Sequence, residues 1–174
     1  MPTTIENSEP SLDGMTLSNV PAEIYLEATR SEDDIGVLLR SHYLVETACE
    51  SLCKILYYDY SQLRNESLSK HIRALRAFGF AAAALRMADV INKHRGGAAH
   101  VKTRIISADH VSELDSQSSG VMNMPGTILQ FGELPTSDGR NVPIREAPLR
   151  MQYAVLSAIC AIAIDNMAEK RKVE

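Results

Sequence analysis

A long amphipathic helix, predicted from about Ser31 to Tyr58, is the feature that most constrains how this chain folds. Ser31 precedes Glu32, Asp33 and Asp34, so its hydroxyl can cap free N–H groups while the carboxylates complement the positive end of the helix dipole. The following apolar positions alternate steps of three and four residues, which places them on one helix face: Ile35, Leu38, His42, Val45, Cys49, Leu52 and Leu56. Such a stripe is typical of helices that pair in a bundle or across a dimer, and we expect it to be buried.

Further segments with helical spacing predict an all-α fold, a four- to five-helix bundle. Pro21 can open a short helix, and Ser67 or Ser69 can cap a second one with inward-facing Leu68, Ile72, Leu75 and Phe78. Gly79 is interpreted as a close helix contact, and the alanine-rich stretch 80–91 as core. The last helix starts at Pro148, with these residues facing inward: Leu149, Tyr153, Leu156, Cys160, Ile164 and Met167.

The remaining segments lack helical periodicity. Residues 1–20 are rich in Ser, Thr, Asn, Pro and Glu and are predicted to form a disordered tail, which leaves 21–174 as a single helical domain. Between residues 127 and 144 we expect a small β-hairpin, in which Thr127 to Phe131 pairs with Asn141 to Ile144 around an Asp138-Gly139 turn.

Composition points to a cytoplasmic protein without a membrane segment. The N-terminus has neither a basic start nor an apolar stretch, so we expect no secretory signal. The longest apolar run, Tyr153 to Ile164, is shorter than the roughly 18 residues that cross a bilayer, and it is interpreted as a buried helix. Cys49, Cys53 and Cys160 cannot all pair, and no second ligand pair completes a metal site. We therefore expect small buried side chains in a reducing compartment and no metal or cofactor.

Charge is segregated along the chain. Residues 1–63 contain 3 basic and 11 acidic residues, 64–108 contain 9 and 2, and 109–174 contain 6 and 9, which gives −8, +7 and −3 and the overall −4. This asymmetry indicates either an anion-binding face or acidic helices that bind the basic centre of the same chain. The sequence alone leaves both interpretations open.

The basic centre contains the strongest functional candidate. The chain has no phosphate-binding Gly-Lys-Ser/Thr loop, no GxGxxG, no HExxH and no GxSxG, which argues against the common NTPase, dehydrogenase, zinc-protease and hydrolase classes. The segment 91–104, INKHRGGAAHVKTR, contains six basic or imidazole side chains and no acid. An Arg that holds a phosphate and a His that moves a proton can promote attack of an RNA 2′-hydroxyl on its own phosphodiester without a metal.

The spacing Arg95-x4-His100 resembles the Arg-x(4–6)-His motif of the HEPN superfamily. The helix with HYLVETACESLCKIL, the helix with IRALRAFGFA and the terminal Arg…Ala-His element also resemble HEPN-like domains and the mannitol operon repressor family, over about half of the chain. The resemblance implies a dimer with Arg95 and His100 as catalytic residues of a metal-independent endoribonuclease, of the toxin or defence type. We expect RNA contacts from the neighbouring basic side chains: Lys93, His94, Lys102 and Arg104.

Two alternatives stand beside this hypothesis. Many active HEPN members have Asn, Asp or His directly after the Arg, where this chain has Gly96. Relatives with altered motifs are regarded as regulators or binding modules, so the resemblance also allows a non-enzymatic regulator like the mannitol repressor, acting through a protein partner or paired with an antitoxin. The segment Lys-His-Arg-Gly-Gly is equally typical of an ordinary helix C-terminus with a left-handed glycine cap.

The other histidines are assigned structural roles. His42 lies on the apolar stripe one turn before Glu46 and is interpreted as a satisfied core or interface residue. His71 and His110 are interpreted as surface residues. Three arginines of the central helices are interpreted as solvated or salt-bridged, or as an extension of the RNA-contacting face: Arg73, Arg76 and Arg86.

Overall fold

The structure, a computed structural model, describes residues 33–57, 59–80, 83–99, 105–122, 126–135 and 141–173. The predicted tail, the Pro21 helix, the Ser31 cap and the Asp138-Gly139 turn lie outside these residues. The described chain forms seven α-helices: α1 (Asp34–Leu56), α2 (Leu68–Ala77), α3 (Ala83–Ala99), α4 (Ala108–Asp115), α5 (Ser118–Met122), α6 (Ile128–Phe131) and α7 (Leu149–Val173). Two short strands, β1 (Glu133–Pro135) and β2 (Asn141–Pro143), and 3₁₀ turns at Tyr60–Gln62 and Ile144–Glu146 complete it. The predicted all-α bundle is confirmed.

Helix α1 forms one wall of the core, as its stripe predicts. Asp33 supplies the N-cap, because its carboxylate accepts hydrogen bonds from the backbone N–H groups of Ile35 and Gly36 at 3.2 and 2.9 Å. The centre of the predicted stripe is buried, whereas its two ends are half-buried. The buried side chains of the stripe are Leu38, Val45, Cys49 and Leu52. The largest helix–helix interface joins α1 to α7.

Helix α7 is the central helix of the bundle. Pro148 precedes it as predicted, and its carbonyl accepts from the amides of Met151 and Gln152. Its segment Leu149–Ala168 is long and apolar enough to cross a membrane, but 78% of that window is buried inside the fold. Burial against neighbouring helices accounts for the apolar run, as expected for a core helix. Leu149 is the exception to the predicted inward face, since at the first turn it is 39% exposed.

Gly79 ends α2 and does not make the predicted helix contact. Its φ is 86°, and a Cβ added there would meet nothing within 4 Å. Its amide donates to the carbonyl of Arg76, and the amide of Phe80 donates to that of Leu75. This is the Schellman pattern, in which a left-handed residue satisfies the last carbonyls of a helix. Phe78, predicted to face inward, instead lies at the C-cap, 46% exposed, with its ring edge-on to Tyr57.

The predicted glycine cap after Arg95 is absent from the described structure. Helix α3 continues through Gly96 and Gly97 to Ala99, and Gly79 is the described glycine with positive φ. Arg95 therefore lies inside a helix and not at its last residue. The alanine-rich stretch predicted to be core is confirmed for Ala83, Ala84, Ala88 and Ile91, which are buried, whereas Arg86 in the same stretch is exposed.

The predicted hairpin exists, but its first strand is displaced. Strands β1 and β2 are antiparallel, with Leu134 opposite Val142. The stretch predicted as the first strand contains helix α6 instead. Ser118 and Asp115, both buried, accept hydrogen bonds from the free amides of Ile128 and Leu129 at 3.0 and 3.2 Å. These distant caps stabilise a helical turn that local β propensity does not predict.

Substitution of Gly79, which follows α2, and of Gly96, inside α3, gives two matched predictions. Gly79→Ala places a Cβ on a left-handed residue and should lower the free energy of unfolding by about 1–2 kcal/mol. Gly96→Ala meets open space in a helix and should raise it by roughly 0.5–1 kcal/mol. Urea unfolding followed by circular dichroism measures both values. A loss of stability in Gly96→Ala would contradict the continuation of α3 beyond Arg95.

Candidate functional site

Arg95 is an exposed cation on the C-terminal half of α3. In the part of the chain that the structure describes, its guanidinium has no carboxylate partner and no hydrogen-bond partner. Three other cations of the basic centre are ion-paired: Lys70 with Glu66, Arg76 with Asp89 and Lys93 with Glu113. Arg64 and Arg73 are exposed like Arg95 and have no ion pair among the described residues. Arg86 donates a hydrogen bond to Gln117. The guanidinium of Arg95 is therefore available to an anion.

A positioned imidazole, that of His42, lies close enough to Arg95 for the arginine charge to act on it. Asn92, one turn before Arg95 on α3, places its Oδ1 3.2 Å from His42 Nε2, while its Nδ2 donates to Ser69 Oγ at 2.8 Å. The amide oxygen accepts, so Nε2 of His42 carries the hydrogen. His42 Nδ1 faces the Glu46 carboxylate at 3.8 Å, and the histidine side chain keeps 13% of its exposure. Helices α1, α2 and α3 together hold this ring.

The pKa of His42 is lower than that of a free histidine. Burial is the main cause, and the positive charge of Arg95 adds to it, whereas Glu46 and the hydrogen bond with Asn92 act in the opposite direction. A histidine with a lowered pKa is neutral at pH 7 and can accept a proton. The predicted proximity of His42 to Glu46 is confirmed.

A second histidine cluster lies on the side of α3 that faces α4 and α7. His94 is 5% exposed; its Nδ1 lies 3.2 Å from the Tyr153 hydroxyl and its Nε2 lies 3.1 Å from Glu113 Oε2. The Lys93 ammonium holds the other oxygen of Glu113 at 2.6 Å. The ring of His110 lies 4.4 Å from that of His94. These contacts tie three helices together.

The ionisation of the His94 cluster follows from burial and from the Lys93 charge. Burial lowers the pKa of His94, with the Glu113 hydrogen bond opposing it. The hydrogen bond from Lys93, then that from His94, lowers the pKa of the Glu113 carboxyl. Burial also raises the pKa of the Tyr153 hydroxyl. A neutral His94 therefore donates from Nε2 to an ionised Glu113 and accepts at Nδ1 from Tyr153.

The predicted site residues fall into three groups. Arg95 is exposed and Lys93 is an exposed, ion-paired residue, whereas His100, Lys102 and Arg104 lie outside the described residues. His94 differs from the RNA-facing role expected of it, because its ring is buried between α4 and α7. Adjacent helical residues point in directions about 100° apart, so a run of basic letters does not share one face.

The histidine assignments need two corrections. His71, interpreted as a surface residue, is 2% exposed, and its Nε2 lies 3.1 Å from the Tyr60 hydroxyl and 3.2 Å from the Leu63 carbonyl. His110, also interpreted as a surface residue, is half-buried, and its Nδ1 accepts from the amide of Ser107 in a capping box. The spacing of apolar residues along a helix can indicate which face is buried. It does not indicate which residues of other helices contact a histidine on that helix.

Asn92 and Glu113 were not singled out by sequence reasoning. Asn92 precedes Arg95 by three residues, a spacing that places both on one helix face, so that local signal was present. Glu113 lies in a segment without a clear functional motif, and its role depends on the packing of α4. No group of three or more His, Cys, Asp or Glu side chains within the described ranges is arranged to hold a metal ion.

Comparison of the chain with protein-family models, with curated proteins and with solved structures gives no match.

Proposed function

We propose that this protein is an RNA-directed, metal-independent endoribonuclease in which Arg95 holds a phosphate and His100 acts in proton transfer. The observation that carries the proposal is the exposed Arg95 guanidinium, which has no partner among the described residues and whose charge acts on the positioned imidazole of His42. A guanidinium presents several donors in a plane and binds phosphate oxygens in pairs. The resemblance supplies His100 as the second member of the motif.

The proposed reaction uses the RNA 2′-hydroxyl as nucleophile. Neutral His42 or His100 removes the proton of this hydroxyl, whose oxygen attacks the adjacent phosphorus. Arg95 stabilises the charge that develops on the non-bridging oxygens. As the bond from phosphorus to the 5′-oxygen breaks, the other histidine, which enters the reaction as an imidazolium, donates a proton to that oxygen. The products are a 2′,3′-cyclic phosphate and a 5′-hydroxyl, and DNA, which lacks the nucleophile, is not a substrate.

Purified protein incubated with structured and unstructured RNA in EDTA tests this proposal. We expect cleavage that Arg95→Ala, His100→Ala and His42→Asn each reduce by about 10²-fold or more, because each removes a charge or a proton carrier from the transition state. Arg145→Ala, which removes an exposed arginine from the 3₁₀ turn Ile144–Glu146, should leave the rate unchanged. Circular dichroism confirms that each variant is folded.

Other outcomes would contradict the nuclease. Salt-sensitive RNA binding without cleavage would replace it by a binding module, and absence of both binding and cleavage would exclude an RNA role. Cleavage that persists in Arg95→Ala and His100→Ala would identify a contaminating enzyme. A substrate with 2′-deoxyribose at the cleaved position should be resistant if the 2′-hydroxyl is the nucleophile.

The same proposal includes a homodimer in the cytoplasm. The resemblance implies the dimer, and Cys49, Cys53 and Cys160, which are free thiols and buried, suit a reducing compartment. Light scattering coupled to size-exclusion chromatography measures the oligomeric state, and a monomer at all concentrations would contradict this part of the proposal.

A further inference from the structure

A small pocket lies between α1 and the segment that leads into α2, apart from Arg95. Its volume is 240 Å³, somewhat below the roughly 300–1,000 Å³ of ordinary small-molecule pockets. It therefore suits a single functional group and not a whole drug-sized molecule. Its lining is polar, and three of its seven residues are acidic: Tyr43, Glu46, Thr47, Glu50, Asn65, Glu66 and His71.

Three carboxylates line the pocket, and each also contacts a group of the protein; Glu50 also shares a hydrogen bond with Tyr60. Glu46 Oε1 accepts from the amide of Leu68 at 3.1 Å. Glu50 and Glu66 pair with Lys54 and Lys70, each four residues later on the chain, at 2.9 and 2.7 Å. Both lysine side chains are more than half exposed. Ion pairs of this exposed type contribute only about 0.3–0.5 kcal/mol, so a second cation can compete for the carboxylates.

His71 adds a buried acceptor to the same wall. Its Nε2 faces the Leu63 carbonyl, which can only accept, so Nε2 carries the hydrogen of the neutral ring. Nδ1 is then a lone-pair acceptor, and in the described part of the chain this buried atom has no hydrogen-bond partner. A buried polar atom without a partner costs about 1–3 kcal/mol, and a donor brought by a ligand would remove that cost.

The acceptors of this pocket define the group that would fit. Three carboxylates and the His71 nitrogen require a ligand rich in N–H donors and positive in charge. Tyr43 lines the pocket and is 53% exposed, and an aromatic ring is a group on which a flat cation can stack. A guanidinium has five donors in one plane and stacks on aromatic rings, whereas an ammonium has three donors on a point charge.

We propose that the pocket formed by Tyr43, Glu46, Glu50, Glu66 and His71 binds a guanidinium group. The source is either a free arginine-like molecule or an arginine side chain of a polypeptide, since both present the same group. Glu46 also faces His42 Nδ1, so the inference is tested at Glu50 and Glu66, which are not part of the proposed nuclease site, and it does not depend on RNA cleavage.

NMR titration of the ¹⁵N-labelled full-length chain tests the proposal at low ionic strength, where charge pairing is least screened. The probes are Nα-acetyl-arginine methylamide, its neutral isostere Nα-acetyl-citrulline methylamide, Nα-acetyl-lysine methylamide with a free side-chain ammonium, and a short alanine peptide with one arginine. We expect saturable shifts at the pocket residues with both arginine probes, weaker binding of lysine and none of citrulline. The His71 Nδ1 resonance should move as it accepts a hydrogen bond.

Two matched variants localise the binding. Glu50→Gln and Glu66→Gln should each weaken the arginine probe about tenfold, which corresponds to the loss of one charge-assisted hydrogen bond. Glu146→Gln, an equal charge change outside the pocket, should have no effect. Tighter binding of the peptide than of the free probe would identify a polypeptide source, and equal binding a small molecule. Unsaturable shifts, equal binding of citrulline, or insensitivity to Glu50→Gln and Glu66→Gln would overturn the proposal.

Discussion

Leu52→Ala is expected to lower the free energy of unfolding by about 3–5 kcal/mol, the largest stability loss predicted for this protein. Leu52 lies on the stripe of α1 and is 0% exposed within the main core. Truncation removes three carbon groups, a methine and two methyls, from contact and leaves a cavity that surrounding helices fill only in part. For a domain of this size the loss corresponds to a decrease in Tm of roughly 6–20 °C, measured by scanning calorimetry.

Leu39→Ala is the matched control for Leu52→Ala, since it makes the same chemical change on the same helix. The Leu39 side chain is 50% exposed, so much less apolar surface returns to water. We expect a loss of no more than about 1 kcal/mol. Equal losses in the two variants would mean that the stripe of α1 is not the buried face.

His94→Ala is expected to lower the free energy of unfolding by about 2–4 kcal/mol at pH 7.5. The substitution leaves the buried Tyr153 hydroxyl without its acceptor, removes a hydrogen bond from Glu113 and opens a cavity between α3 and α7. His94→Gln is the conservative comparison, because its amide oxygen can accept from Tyr153 and its amide nitrogen can donate to Glu113. Urea unfolding should place its stability between those of His94→Ala and the natural protein.

We also expect the free energy of unfolding to depend on pH, and His94→Gln tests this. The pKa of His94 is lower in the folded protein than in the unfolded chain, so the unfolded chain binds more protons below about pH 6.5. Stability is therefore complete above that pH and decreases as pH falls towards the folded pKa, by at most about 1.4 kcal/mol per pH unit per group. His94→Gln should show a weaker decrease, with the remainder due to His42, whose pKa is also lowered.

The pH range in which the histidines titrate does not overlap the range in which the carboxyls titrate. Interaction with Lys93 and Lys54 lowers the pKa values of Glu113 and Glu50, so their contribution to stability is lost only as pH falls below about 4.5. Unfolding measured between about pH 7.5 and about pH 5 thus reports the histidines. An identical decrease in the natural protein and in His94→Gln would contradict the assignment of a neutral, buried His94.

The sequence pattern predicted the environment of only some of the candidate site residues. Arg95 is exposed as a phosphate-binding residue requires, and its neighbour His42 is held by Asn92 from α3. The ring of His94, in the same basic run, is instead buried against Tyr153, which is 59 residues further along the chain. Only the packing of α7 against α3 distinguishes these adjacent residues.

The sequence by itself determined helices α1, α2 and α7 and most of the core, whereas α4, α5 and α6 lie in the stretch 101–147, where it predicted no helix. Helical periodicity depends on residues three and four apart, so α1, α2 and α7 can be predicted without knowing which helices pack against them. Tertiary structure alone decided the ends and exceptions: the buried Asp115 and Ser118 hold α6 as a helix, and long-range partners bury His94. The guanidinium pocket likewise exists only where α1 meets the start of α2. In each case residues distant in sequence decide whether a polar group has a hydrogen-bond partner. The spacing of residues along the chain does not predict such a contact.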